Sequence, residues 1–256
     1  MSGLRVERAR DGAQVRLILD RPKGNVVTLE VIGELREALS AVQPGTGVKL
    51  ITLEATGPNF SYGASVEEHV ADRIAGVLAE LNGAIRDLLR APAPTLAAVR
   101  GRCLGGGFEL ALACDMVFAA EDALLGVPEV ALGVFPPAAA ALLPLRVGAS
   151  RAARAILGGE ALPATWWEAA GLVDRVVTTE LLDAAVDEWF TERLAPRSAA
   201  ALAHAAEAAR AGTLRTVEPL LADLERQYLD RLMRTHDASE GISAFIERRT
   251  PQWRNA

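Results

Sequence analysis

Apolar positions recur with two different periods along this chain of 256 residues. Short aliphatic and β-branched runs predict strands at Val15–Leu19, Val48–Leu53, Thr95–Val99 and Met116–Ala120, with a last one within Leu172–Val177. Between them the apolar residues fall every three or four positions. From Thr28, the residues Ile32, Leu35, Leu39 and Val42 mark a helix that Pro44-Gly45 closes. Ile74–Leu89 places Ile74, Val77, Leu78, Leu81, Ile85, Leu88 and Leu89 on one face, and Pro92 and Pro94 stop it. Ala138–Leu145, Ser150–Leu157 and Pro163–Ala170 predict further helices. Strand, helix, strand at the start implies parallel pairing through a crossover helix. From Leu181 onward the pattern is helical, with loop signals only near Pro196 and Gly212. The predicted class is α/β, with a core over residues 1–195 and a helical region over 196–256.

Two glycine turns interrupt this pattern at positions suited to chemistry. Gly105, Gly106 and Gly107 follow the Thr95–Val99 strand and open a helical segment that carries Glu109 in its first turn. Glycine lets a backbone approach a ligand closely, and the first N–H groups of a helix lack partners within it. Such a turn can hold an oxyanion, with Glu109 as general acid or base beside it. A dipole-compensating glutamate on a tight turn is the plain structural alternative. The spacing fits neither the dinucleotide fingerprint nor a P-loop.

The second turn runs from Thr56 to Ser65. Gly63 frees the backbone so that the Ala64 N–H can point outward. Ser65-Val66-Glu67-Glu68 matches the S-x-x-E capping box. Ser65 and His69 are four apart, but no third orienting group accompanies them as a nucleophile and base. Glu129, in the Gly126–Glu129 turn, is a second carboxylate that by itself reads as a solvated loop residue.

Composition narrows the function classes. Half of the residues are hydrophobic and 23% are charged, which describes a globular chain. A net charge of −6 with no basic run argues against nucleic acid. Cys103 and Cys114 read as small buried residues, and His69, His204 and His236 have no ligand spacing, so no metal is expected. The N-terminus lacks an apolar signal region and no run is long enough to span a membrane, which leads to a cytoplasmic expectation.

Five blocks, in order, resemble the crotonase (enoyl-CoA hydratase/isomerase) superfamily over nearly the whole chain. They are Asp20-Arg21-Pro22 with Asn25, Phe60–Ala64, Gly101–Asp115, Pro128-Glu129 with Leu132-Gly133, and Gly171-Leu172-Val173. The resemblance implies a ββα spiral core followed by C-terminal helices that assemble homotrimers, often paired into hexamers. It implies an acyl-CoA thioester as substrate and no separate cofactor, the coenzyme A being part of the substrate. The Ala64 and Gly106 N–H groups would hold the thioester carbonyl, and Glu109 and Glu129 would act on water and on a carbon-bound proton. Lys23, Asn25, Tyr62, Gly63, Ser65, Gly105, Phe135 and Pro137 would line the acyl-CoA. Phe245 and Arg248 fall in the block that borders a neighbouring subunit's CoA nucleotide.

Three departures from the family pattern matter. Ser65 stands where Asp is common, and Glu67 where a basic residue is usual. Pro137 lies in the turn whose backbone N–H helps hold the catalytic water, and proline has no N–H. Water is therefore held differently or added at a different carbon. The Gly63–His69 segment, with Leu132–Phe135 and Pro137-Ala138-Ala139, is most similar to the branch that hydrates cyclic dienoyl-CoA thioesters in anaerobic aromatic degradation. A straight-chain enoyl-CoA hydratase or isomerase and a non-catalytic acyl-CoA-binding subunit are the alternatives.

Overall fold

The computed structural model describes residues 3–69 and 73–256. Its strands and helices alternate, as the two periods of the sequence require. The chain opens with β1 (Leu4–Ala9) and β2 (Gln14–Leu19), then α1 (Leu29–Ser40) and β3 (Leu50–Ala55). Thr28 caps α1, its hydroxyl accepting from the Val31 N–H, and the predicted apolar face of Ile32, Leu35 and Leu39 is buried. Next come α2 (Ile74–Leu89), β4 (Thr95–Val99), β5 (Arg102–Leu104), α3 (Gly105–Leu112), β6 (Met116–Ala120) and β7 (Leu124–Gly126). They are followed by α4 (Pro137–Val147), α5 (Ala149–Gly158), β8 (Ala161–Pro163), α6 (Ala164–Ala169), β9 (Arg175–Val177) and α7 (Leu182–Trp189). Two C-terminal helices, α8 (Ala199–Asp230) and α9 (His236–Ile246), complete the chain.

The strands form two sheets. The larger has the order β1-β2-β3-β4-β6-β9 and is parallel throughout except for the β1–β2 pair; β2 and β3 pair in parallel across α1. The smaller has the order β5-β7-β8. Each turn of the chain contributes a strand to the first sheet, then a strand to the second, then a helix. β4, β5 and α3 are one such turn. β3 begins another, in which Ser61 takes the second-sheet place through a single bridge to Cys103. This repeat winds the chain into a spiral, and the glycine turns sit where it passes from the second sheet into a helix.

Burial tracks position in the spiral. Every residue of β4 is buried, because helices or sheet cover both of its faces. α3 is buried along all eight residues, a helix apolar on every side that only the centre of a domain accommodates. Its Phe108 ring packs 5.0 Å from Trp167, whose indole donates to the Leu125 carbonyl.

Several sequence expectations need correction. β1 carries no strand pattern in the sequence, because only Leu4 of its six residues is buried and its charged positions pair across the edge, Arg5 with Asp20 and Glu7 with Arg16. The strands of the second sheet span three residues each, too few for a period to register. Gly212 does not break the last region: α8 runs through both Gly212 and Pro219. The capping box does not form. Ser65 makes no cap hydrogen bond and its hydroxyl meets Glu67, while the Glu68 carboxylate accepts from the Leu29 N–H at the start of α1. Among the described residues, no helix is long and apolar enough to cross a membrane.

Candidate active site

The two glycine turns meet. Val27 forms a single parallel bridge with Ala64, bonding to the Gly63 carbonyl and the Ser65 N–H. That pattern leaves the Ala64 N–H facing the other way, towards α3. The turn is held open by Ser61, whose hydroxyl accepts from the Gly63 N–H at 3.0 Å and donates to the Asn25 carbonyl at 2.8 Å. Gly63 has φ = 98°, which only glycine adopts without strain, and a Cβ there would sit 3.0 Å from the Leu104 carbonyl oxygen.

On the facing side, α3 begins at Gly105 with no side-chain cap. A Cβ on Gly106 would lie 3.2 Å from Ala64 Cβ and 3.3 Å from the Ala64 nitrogen. The Ala64 and Gly106 amides are thus neighbours, and neither N–H has an acceptor among the described residues. Two adjacent free donors at a helix start are suited to a carbonyl oxygen that gains negative charge. A Cβ on Gly107 would meet Ser61 Cβ at 2.4 Å, so only glycine lets α3 approach this loop.

Both candidate carboxylates converge here. Glu109 lies one turn into α3, rather than in its first turn, and is 2% exposed. Its Oε1 accepts from the Ala139 N–H at 2.8 Å. Ala139 belongs to the first turn of α4, which Pro137 opens at the position where a missing N–H costs nothing. The turn that in the family reading would bind water therefore aims its N–H at Glu109. Glu129 sits on a helical turn, Pro128–Leu132, that Gly133 closes at φ = 72°. The residue as a whole is half-buried, yet its carboxylate points inward: Oε1 would touch a Cβ on Gly105 at 2.6 Å, and Oε2 is buried with no hydrogen-bond partner among the described residues.

Burial pushes both carboxylates above the ordinary range. The Ala139 and Ala138 N–H groups partly offset this at Glu109, whereas the negative charge of Glu109 raises Glu129 further. Two such groups share a proton near neutrality, so one acid and one base stand side by side.

The other expected residues fall into four groups. Gly63 and Gly105 lie on the two facing turns, Pro137 opens the helix whose Ala139 N–H meets Glu109, and Phe135 precedes that helix in the turn after Glu129. Lys23, Asn25 and Tyr62 border a cleft of about 550 Å³ between the Asp20–Asn25 and Thr56–Asn59 loops. There Tyr62 is 48% exposed, but Asn25 spends its side chain on the backbone. Its amide donates to the Thr56 and Asn59 carbonyls and its oxygen accepts from the Arg21 N–H, so it shapes the cleft instead of presenting a free group. Ser65 is buried behind Ala64. His69 turns its Nδ1 to the Ser65 carbonyl at 2.7 Å, away from any role as base to the hydroxyl, and burial lowers its pKa. Phe245 stands exposed in the last turn of α9, and Arg248 is exposed just beyond it.

A model of the family described as "Enoyl-CoA hydratase/isomerase" matches residues 11–256. This chain belongs to that family. Among its relatives in it, "Cyclohexa-1,5-dienecarbonyl-CoA hydratase" of Thauera aromatica is 43% identical over 99% of this chain and 98% of the relative. "2,3-dehydroadipyl-CoA hydratase" of Escherichia coli is 34% identical over 93% of this chain and 94% of its own length. The crystal structure of an enoyl-CoA hydratase from Mycobacterium avium subsp. paratuberculosis superposes with a TM-score of 0.86 at 32% identity, covering 98% of both chains. The likeness to that solved structure extends over the whole fold.

Two parts of the site leave no signal in the sequence. The Ala139 N–H orients Glu109, and backbone donors leave no mark on residue identity. The Glu129 turn is buttressed from the C-terminus: Gly133 packs on Asp237 and Trp253, and a Cβ on Gly241 would strike the Leu132 carbonyl oxygen at 2.2 Å. Asp237 in turn accepts from the Arg254 and Asn255 N–H groups, which ties down the tail.

Proposed function

We propose that this protein hydrates a cyclic dienoyl-CoA thioester, cyclohexa-1,5-diene-1-carbonyl-CoA, to 6-hydroxycyclohex-1-ene-1-carbonyl-CoA. The observation that carries this is the convergence of two buried carboxylates on two free amide N–H groups. The choice of a cyclic diene is supported by the relative of 43% identity, against 34% for the dehydroadipyl-CoA hydratase.

In the proposed reaction the thioester oxygen accepts from the Ala64 and Gly106 N–H groups. The ionised carboxylate takes a proton from water as its oxygen bonds to one terminal carbon of the diene. The electron pair moves through the ring onto the thioester oxygen, and this charge is what the two donors stabilise; losing one such donor costs about 10²–10³ in rate. The protonated carboxylate then delivers its proton to the far end of the diene, leaving one ring double bond. Water is consumed and the two carboxylates have exchanged a proton.

The same reading gives Lys23, Tyr62 and the cleft beside them to the coenzyme A part of the substrate. It gives the C-terminal helices to self-association as a homotrimer or hexamer, in which Phe245 and Arg248 border a neighbour's nucleotide. Light scattering on the purified protein tests that assembly.

The deciding experiment is a paired assay with the cyclic dienoyl-CoA and with crotonyl-CoA, followed by product mass. Gain of one water on the cyclic diene alone supports the proposal. Hydration of crotonyl-CoA alone makes the protein a straight-chain hydratase. Tight binding without turnover of either makes it an acyl-CoA-binding subunit.

Gly105 supplies a sharper geometric prediction. Gly105→Ala forces a Cβ into Glu129 Oε1 at a backbone angle of φ = 49°. A displaced carboxylate of this kind costs on the order of 10²-fold in kcat. The circular dichroism spectrum should stay that of the wild type, and steady-state kinetics on the hydrated substrate checks the loss.

A further inference from the structure

Pro137 removes a backbone donor from the turn at the site, and Ala139 spends its N–H on Glu109. The protonated carboxyl of the pair delivers its proton to the ring, so a water held by the ionised one would lack a donor of its own to fix its oxygen. Carboxylates accept hydrogen bonds from water; they orient its protons but leave its lone pairs unaddressed unless they are protonated.

A phenol packs against the turn that follows Glu129. Tyr228, on α8, is 1% exposed, and its ring meets Phe135 edge-on with centroids 5.4 Å apart. It packs with Val134, Ile74, Val77 and Leu78, the side chains that wall the turn after Glu129. Its hydroxyl is buried and makes no hydrogen bond among the described residues, which is also true of Glu129 Oε2. A buried polar atom without a partner is destabilising, so each of these two groups calls for one. Burial and the charges of Glu129 and Glu109 together raise the Tyr228 pKa, which keeps the phenol protonated and places it within the field of the pair.

We infer that Tyr228 is a further catalytic residue: its hydroxyl donates to the oxygen of the reacting water while Glu129 Oε2 accepts from that water. The inference rests on the hydration reading above. Tyr228 supplies from a side chain the donor that Pro137 withholds from the backbone. The phenol keeps its own proton throughout. It orients a water lone pair towards the diene, and the proton leaves the water for a carboxylate. The new hydroxyl of the product occupies the same place, so Tyr228 serves the reverse dehydration equally.

The test combines a high-resolution crystal structure of the protein without substrate with kinetics of Tyr228→Phe. In the wild type a water should lie within hydrogen-bond distance of both Tyr228 Oη and Glu129 Oε2, and in Tyr228→Phe it should be lost. The variant should keep the wild-type Tm, since a buried hydroxyl is replaced by an apolar edge. Its kcat for hydration should fall about 10- to 100-fold while KM for the thioester stays within about threefold, the signature of a lost transition-state contact. Wild-type kcat in the variant, or a wild-type crystal with no water at Tyr228 Oη, overturns the inference and leaves the hydratase reading standing. If the wild type hydrates neither thioester and the water is nevertheless held, the hydratase reading falls and the water site stands.

Discussion

Glu129→Gln leaves the protein folded and reduces kcat for hydration by about 10³- to 10⁴-fold, and Glu109→Gln does the same, because each removes one member of an acid–base pair. The amide keeps the shape of the carboxyl group but neither releases nor takes a proton at the reacting centre. The two losses should not multiply in the double variant, since a pair that works as a unit is disabled by losing either member. The pH profile follows from the raised pKa values. Below the lower apparent pKa of the pair both groups are protonated and no base is present; above the upper one both are ionised and no acid is present. Activity should therefore form a bell centred near neutrality, and its limbs belong to the pair and not to single residues.

Stability should move the opposite way to activity. A carboxyl group whose pKa is higher in the folded state holds more protons folded than unfolded at any pH between the two values. Its folded state is therefore progressively disfavoured as pH rises through that window. Gln has no charge to bury. Glu129→Gln should unfold at a higher temperature than the wild type at pH 8, by a few degrees, and the gap should close as pH falls towards the ordinary carboxylate range. Thermal melts at pH 5 and pH 8 check the sign. A wild type that is more stable than the variant at pH 8 would mean that the pair is not under the burial strain described.

Asp115→Ala lowers stability by about 3–5 kcal/mol, the largest structural effect expected of any single substitution outside the site. Asp115 follows α3 and ties three elements together. Its Oδ2 accepts from the Thr95 N–H at 2.8 Å at the start of β4, and both of its oxygens accept from the Arg210 guanidinium. Arg210 is buried, reaching in from α8, and its other donors go to the Ala91 and Ala93 carbonyls at 2.6 and 2.8 Å. Removing the carboxylate leaves the buried Arg210 guanidinium with no countercharge. In a chain of this size the loss should read as a fall of roughly 10 °C in Tm. Arg210→Met added to Asp115→Ala should recover part of it, because the unpaired charge is gone. A double variant no more stable than Asp115→Ala would show that the network holds by packing and not by charge.

The spiral was legible wherever an element was long enough for its period to register. α1 and α2 appear at the expected positions with the expected faces buried, because both are amphipathic. The three-residue strands of the second sheet were not, since pairing decides them and three residues carry no pattern. Gly63 and Gly106 were legible as glycines in turns, but that their backbones would meet depends on the spiral bringing residues 63 and 106 together. The resemblance to a family implies that meeting; the residue pattern alone does not. Tyr228 was not legible at all. It continues the buried row of Val217 and Leu221 on α8, and helical spacing cannot separate a core aromatic from one whose hydroxyl has work to do.

The uninterrupted course of α8 through Gly212 and Pro219 has a consequence for how the sequence can drift. Arg210 is pinned at one point of the helix and Tyr228 at another, eighteen residues and about 27 Å further along. With both ends fixed by tertiary contacts, the intervening turns need not be good helix formers, which is why two poor ones are tolerated there. What they cannot change is their number. One residue gained or lost between the two anchors would swing Tyr228 about 100° around the axis and away from Phe135. The stretch behaves as a gauge block: permissive in composition, strict in length.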